Sequence, residues 1–292
     1  MRNAGGRAHH GWAGNTIIAA VAFAMLLAGP VTAAEAAAPD VDAHVEFVIG
    51  SAVEHEPPGI GWDVGRAQGK LVLDIGPFDT APGSWSVEQV YAGFAPEEIA
   101  SGAVAVAGQG VETEVAVALT DYDDDFGGGS FKVTNWTIEA QNALAEIGTL
   151  DVSAPILIVQ EDGTNARFNI PEPGTTVTRS GPWSVSNYAG WLGGHTLKTG
   201  RRWARIQLTA TVTEGQVIAV VMPMAENRGR ARIKLDGVIQ GAVDTYTAGP
   251  RRHRVVMWQT PPLSAGEHTV SVINLASPGH RRIDVDAFMI AG

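Results

Sequence analysis

Between Glu226 and Tyr246 the chain reads ENRGRARIKLDGVIQGAVDTY. Ala231, Ile233 and Leu235 alternate with Arg230, Arg232 and Lys234, a period of two that suits a half-buried strand and no helix. Asp236-Gly237 follows directly, a dipeptide that tolerates the positive φ angles of a tight two-residue turn. Val238 to Val243 then runs back as a second strand. The stretch is predicted to be a β-hairpin with one cationic face. That commits the chain around it to sheet.

The neighbouring segments repeat the pattern. Ala204, Ile206, Leu208, Ala210 and Val212 alternate with polar residues, Glu214-Gly215 makes a turn, and Gln216 to Met222 is a continuous apolar run of the kind buried on both faces. Arg254 to Trp258, His268 to Leu275 and Ile283 to Ile290 complete seven or eight strands, the number in a jelly roll. Towards the N-terminus, short strands are predicted at 43–49, 70–75, 85–91, 103–107, 111–119, 131–138, 152–159 and 167–170, separated by Gly, Pro and Asp. Such spacing indicates a sandwich. Glu139 to Ile147 (EAQNALAEI) is expected to form one or two helical turns. The predicted class is all-β, an N-terminal β-sandwich over 40–172 followed by a C-terminal jelly-roll β-sandwich over 178–292. Ile170 to Thr176, with two prolines and a glycine, is the linker candidate.

Charge changes sign near that linker. From Glu35 to Thr175 there are 24 Asp/Glu against 4 Lys/Arg, and from Thr176 to Gly292 there are 7 against 14. Asymmetry of this kind marks two domains or two different surfaces. Arg2 and Arg7, the apolar run Ile17 to Ala28 and small residues near 31–36 have the form of a secretory leader over 1–36. The apolar run is shorter than the roughly 20 residues a membrane span needs, so contact with a membrane is expected only through an uncleaved leader. With no Cys, thiol catalysis and Cys-ligated metals are excluded. Export and the lack of a nucleic-acid motif argue against a nucleic-acid partner. The expected location is outside the cell or in the envelope of a bacterium.

Four segments resemble a tail domain found on many secreted bacterial proteins: WLGGHTLKTG, the hairpin NRGRARIKLDG, SAGEHTVSVINL and IDVDAFMI. The similarity covers about 181–292. It implies a jelly roll of the galactose-binding-like and carbohydrate-binding-module type, and with it carbohydrate binding. In such modules an Asp on the last strand often holds a structural Ca²⁺, and Asp286 matches that position. Their acidic partner near the first strand is not found around Trp183 to Trp191. Ion pairing of Asp284 and Asp286 with Arg281, Arg282 or an Arg of another strand is the alternative.

Other candidates come from the residues alone. Asp121, Asp123 and Asp125 in DYDDDFGGG form an acidic, Gly-rich loop of the kind that suits Ca²⁺, or a charged hairpin tip that discourages edge pairing. Trp183, Tyr188 and Trp203 are candidates to stack on sugar rings, and Trp203 falls on the polar-facing parity of its strand. Trp191 and Trp258 are expected in the core. Arg205, Arg230 and Arg232, within a set that includes Arg202 and Arg228, would suit an anionic polymer. The same set would equally serve as a soluble surface or face the acidic half. No nucleophile motif appears. The expected function is non-catalytic binding of a cell-wall or extracellular polysaccharide. A structural or adhesive surface protein, and an accessory module of a glycan-degrading enzyme, are the alternatives.

Overall fold

The computed structural model describes residues 37–55, 65–90, 95–120, 135–154, 156–164 and 172–292. The expected leader, the strand at 167–170 and Asp121, Asp123 and Asp125 lie outside them. The first nine strands are β1 (Val41–Phe47), β2 (Glu54–His55), β3 (Gly65–Ile75), β4 (Gly83–Val90), β5 (Glu97–Val104), β6 (Val111–Thr120), β7 (Asn135–Gln141), β8 (Ile147–Ser153) and β9 (Leu157–Gln160). The next are β10 (Thr175–Ser180), β11 (Ser184–Asn187), β12 (His195–Thr199), β13 (Arg205–Val212), β14 (Val217–Met224), β15 (Arg230–Leu235) and β16 (Val238–Asp244). The last four are β17 (Arg252–Gln259), β18 (Gly266–Asn274), β19 (Ile283–Val285) and β20 (Ala287–Ala291).

Two sheets build the acidic half. β3 pairs with β1 and β2 along one edge and with β6 along the other. The second sheet runs β5-β4-β7-β8. Strict alternation orients them. Ala67, Leu71, Leu73 and Ile75 of β3 are buried while Arg66, Gln68 and Asp74 point out, and Val87, Trp136 and Ile138 of the second sheet join the same core. The expected helical turns at 139–147 are instead the end of β7, a turn and the start of β8. Helix propensity loses here to a side-chain cap. Asn142 Oδ1 accepts the N–H groups of Leu144 (2.9 Å) and Glu146 (3.0 Å), and Ala145 takes φ 63°, a turn geometry Asn commonly directs.

The basic half is a sandwich of β10-β13-β18-β15-β16 facing β17-β14-β20-β9, with a small sheet β11-β12-β19 alongside. Ile206, Leu208, Ile233, Val270 and Val272 of the five-stranded sheet meet Ile218, Val220, Met222 and Phe288 of the other in one cluster. β14 is buried from Val217 to Pro223, as its continuous apolar run predicts. The reason is that its sheet is covered twice. Ala219, Val221, Val256, Ala287 and Met289 belong to the cluster that contains Val45, Phe47 and Leu71 of the acidic half.

The first strand of this sandwich lies ahead of the 171–178 segment. β9 pairs antiparallel with β20, Gln160 opposite Ala287 and Leu157 opposite Ile290. Part of the expected linker is itself β10, paired with β13. Residues 36–292 form one compact unit.

The opening hairpin forms as predicted. Leu235 faces Val238 across the turn, and Asp236 and Gly237 take φ 49° and 81°. Asp236 also ties the turn to β18: its Oδ1 accepts the Thr269 N–H at 2.7 Å, and its Oδ2 lies 2.8 Å from His268 Nδ1. A β-branched residue at 237 is forced into the left-handed region. Gly237→Val is therefore expected to lose about 1–3 kcal/mol of stability, read by chemical denaturation. Parent-like unfolding would mean the turn does not need that φ.

Candidate functional site

The five-stranded sheet has one face in the core and one in solvent. Arg205 pairs with Ile273, which pairs with Arg232, so the two arginines flank one residue of β18 on the outward face, roughly 10 Å apart by strand spacing. One row along, Gln207, Ser271 and Lys234 line up in the same way, and the Ser271 hydroxyl bonds Gln207 Oε1 at 3.2 Å.

Trp203 stands at the end of these rows. It is 50% exposed, with Arg202 Cζ 4.6 Å and Arg232 Cζ 5.5 Å from its ring centroid. Its backbone has φ 69°, inside a four-residue turn closed by Ala204 N–H to Arg201 O (3.2 Å). A positive φ in such a turn ordinarily selects Gly or Asn, and in a Trp it costs of order 1–3 kcal/mol.

Asn274 holds this geometry. It is fully buried. Its carbonyl accepts the Trp203 N–H at 2.8 Å and its own N–H reaches Ala204 O at 2.9 Å. Its side-chain amide donates to the carbonyls of Thr199, Arg201 and Arg281. The result is a half-exposed indole on a hydrogen-bonded turn, with two guanidinium groups over its ring. Sequence parity pointed to Trp203, Arg205 and Arg232. Asn274 was missed, because nothing local distinguishes it from any Asn at a strand end.

The other predicted residues are placed differently. Trp183 is half-buried against the core cluster, with its indole N–H donated to Ser180 O (3.2 Å), so it packs rather than projects. Tyr188 is 52% exposed and stacks on His253 at 5.1 Å, with Trp191 edge-on to both. Burial and the neighbouring Arg251, Arg254 and Arg228 push the His253 pKa down. Arg230 is exposed opposite Asp244. Trp191 is buried and Trp258 packs against the core, as expected.

Arg228 is not part of the surface set. It is fully buried, 2.6 Å from Asp284 Oδ2. Asp284 also receives Arg282 through Nε (2.6 Å) and Nη2 (2.7 Å). The ion-pair alternative thus holds for Asp284, and for Asp286 the charge of Arg254, an Arg of another strand, acts in the same sense.

Asp286 interrupts the last strand between β19 and β20 and is fully buried. Its Oδ1 accepts the Leu192 N–H at 3.2 Å, while Oδ2 has no hydrogen-bond partner. The end of β9 brings Glu161 into its field. Glu161 is 1% exposed, and neither of its carboxylate oxygens has a hydrogen-bond partner. His195 Nε2 lies 3.4 Å from Glu161 Oε1 and 3.6 Å from Asp162 Oδ2, close enough for charge and outside hydrogen-bond geometry for Glu161. Burial pushes the Glu161 pKa up to about 9, with the charge of Asp286 adding to the rise. Burial likewise holds the Asp286 pKa well above the carboxylate range. No acid stands at 183–191, and the acid in the field of Asp286 is Glu161. Among the described residues no group of three or more His, Cys, Asp or Glu is arranged to hold a metal ion.

A shallow groove of about 510 Å³ lies over β4, β5 and β7, bordered by Ser84, Ser86, Glu98, Ser101, Glu139 and Gln141. It is polar, and the half-buried Trp85 lines it as well.

Fold and site together define an all-β protein whose basic half is a two-sheet β-sandwich with one cationic outer face. Solved structures are similar to part of the chain. One is the CBM36-1 domain of a multidomain xylanase from the hindgut metagenome of Trinervitermes trinervoides, with 16% identity over 47% of this chain and 97% of that one, TM-score 0.33. Another is a family 35 carbohydrate binding module from Clostridium thermocellum, with 20% identity over 41% and 94%, TM-score 0.31. A third is the GH26-CBM35 β-(1,4)-mannanase of Podospora anserina, with 13% identity over 41% and 28%, TM-score 0.29. These TM-scores are low, and the fold description stands on strand order and burial. No family model and no curated protein matches the sequence.

Proposed function

We propose that this is a secreted, non-catalytic protein that binds an extracellular or cell-wall polysaccharide through the outward face of its five-stranded sheet. The observation that carries this reading is Trp203. A half-exposed indole sits on a turn whose positive φ ordinarily selects Gly or Asn, and such strain collects at ligand-binding positions. An indole face packs well against the C–H face of a sugar ring.

Trp203→Gly separates the two roles of the residue. Glycine accepts φ 69° without strain, so the variant is expected to melt at or above the parent temperature. Its affinity for a bound polysaccharide, measured by affinity electrophoresis, is expected to fall about tenfold or more, which corresponds to about 1.4 kcal/mol. Trp203→Phe keeps a ring and is expected to keep most of the binding. Full binding by the glycine variant would rule out this platform. Release of sugar from the polysaccharide by the purified chain would rule out a non-catalytic role.

Calcium is the second ligand in this reading. Glu161 and Asp286 would hold it, since their three unpartnered buried oxygens are the hard donors that Ca²⁺ prefers. Bound there, the ion would neutralise two carboxylates and tie β9 to the end of β19.

A further inference from the structure

We infer that the polysaccharide is anionic, its sugar rings carrying carboxylate or phosphate groups, and that Arg202, Arg205, Arg232 and Lys234 read that charge around Trp203. This rests on the reading of Trp203 as a glycan platform and names the chemistry of its ligand.

Three observations support it. First, the cations stand where a chain stacked on Trp203 would run. Arg202 and Arg232 lie over the ring, Arg205 flanks Ile273 opposite Arg232, and Lys234 is in the next row of the same face. Second, their charge is unspent. Among the described residues none of these four side chains forms an ion pair within 4.0 Å, whereas the basic residues Arg228 and Arg282 of the same half are paired with Asp284. Third, among the described residues the acidic half does not supply the missing charge within one molecule. It packs against Ala219, Val221, Val256 and Met289 of the opposite sheet, leaving the arginine face outward.

Asp236, in the turn after Lys234, is engaged by the Thr269 N–H and His268, and two more acids lie to the sides of this face. Asp244 stands across from Arg230, with its Oδ1 taking the Tyr246 N–H, and Glu267 sits opposite Thr211 at the far end of β13. The planar guanidinium fork suits carboxylate and phosphate oxygens, which accept two parallel N–H bonds. A neutral glycan would use the indole and leave the cations idle. A protein partner, which an exposed indole would also suit, is an outcome of the test.

The test uses the full chain and three probes: polygalacturonate, its fully methyl-esterified form, and a glycosylated polyribitol-phosphate. The first and third distinguish carboxylate from phosphate, and the second keeps the sugar backbone without its charge. Binding to at least one polyanion is expected, weakened about tenfold or more by methyl esterification or by raising salt from about 50 mM to about 500 mM. Arg205→Gln with Arg232→Gln is expected to give a similar loss with an unchanged melting temperature, because both side chains point to solvent. Equal binding of the methyl ester, sensitive to Trp203→Gly but not to the arginine changes, would overturn the anionic ligand while leaving the polysaccharide reading intact. Polyanion binding that survives the double substitution would also overturn it. Failure of every glycan to bind would remove both readings. If low-salt self-association appeared instead and the double substitution abolished it, the occupant would be the acidic half of a second copy.

Discussion

Asp284→Ala is expected to lower the free energy of unfolding by about 3–5 kcal/mol, the largest single-residue effect in the basic half. Asp284 is fully buried and receives three charge-assisted hydrogen bonds, two from Arg282 and one from Arg228. Arg282 retains access to water; Arg228 does not. Burial already pulls the Arg228 pKa down, and the Asp284 charge opposes that shift. Without Asp284 the Arg228 guanidinium stays in the interior beside Asn227, with no counter-charge. The penalty is mostly that of an unpaired buried ion rather than of three lost bonds. Adding Arg228→Met should therefore restore part of the stability, a non-additive result readable by denaturant titration. If the single variant unfolds with the parent, water must reach Arg228. If the second substitution makes matters worse, Arg228 must matter mainly through its packing.

Millimolar Ca²⁺ is expected to raise the melting temperature at pH 8 and to change it little at pH 5. Glu161 and Asp286 are buried beside one another with three oxygens unsatisfied. In chelator, folded Glu161 keeps its proton up to about pH 9, whereas the unfolded chain releases it near 4.5, the ordinary glutamate value. Between those limits the unfolded state binds fewer protons, so stability falls as pH rises. For this one group the slope is about 1.4 kcal/mol per pH unit. Asp286, also raised, acts with the same sign. Calcium requires both carboxylates deprotonated, so its contribution grows with pH. Glu161→Gln removes both behaviours, and its difference from the parent isolates them from the other acidic groups. A Ca²⁺ effect that survives this substitution would place the ion elsewhere. Identical pH profiles for parent and variant would mean that Glu161 is not held neutral in the fold.

Much of the architecture was legible because it is local. Alternation along 230–235 and 204–212, the Asp236-Gly237 turn and the uninterrupted apolar run of β14 depend on near neighbours, and each appears where those neighbours put it. Alternation also identified which side of β13 and β15 faces water, and so Arg205 and Arg232, whereas Trp203 is exposed from the turn ahead of β13 and not through strand parity. The misreadings have one form. EAQNALAEI has helix-forming composition, but Asn142 caps a turn between two strands that already have partners. Arg228 sits among surface arginines in the sequence and is drawn inward by Asp284, 56 residues away.

The amino-acid sequence by itself determined that the chain is all-β, that its second half is a sandwich with one cationic face, and which side chains can reach that face. Tertiary structure decided which strands lie together. It set β9 beside β20, so that an acid from the end of one half meets Asp286 from the end of the other. It also put Asn274 beneath Trp203, where three backbone carbonyls and one N–H hold an aromatic residue at a φ its own preference disfavours. Periodicity reports whether a residue faces in or out because the side-chain period of a strand is intrinsic to the backbone. It carries no record of which distant strand supplies the next edge, since pairing follows from burying a shared face and satisfying N–H and C=O groups across the whole molecule.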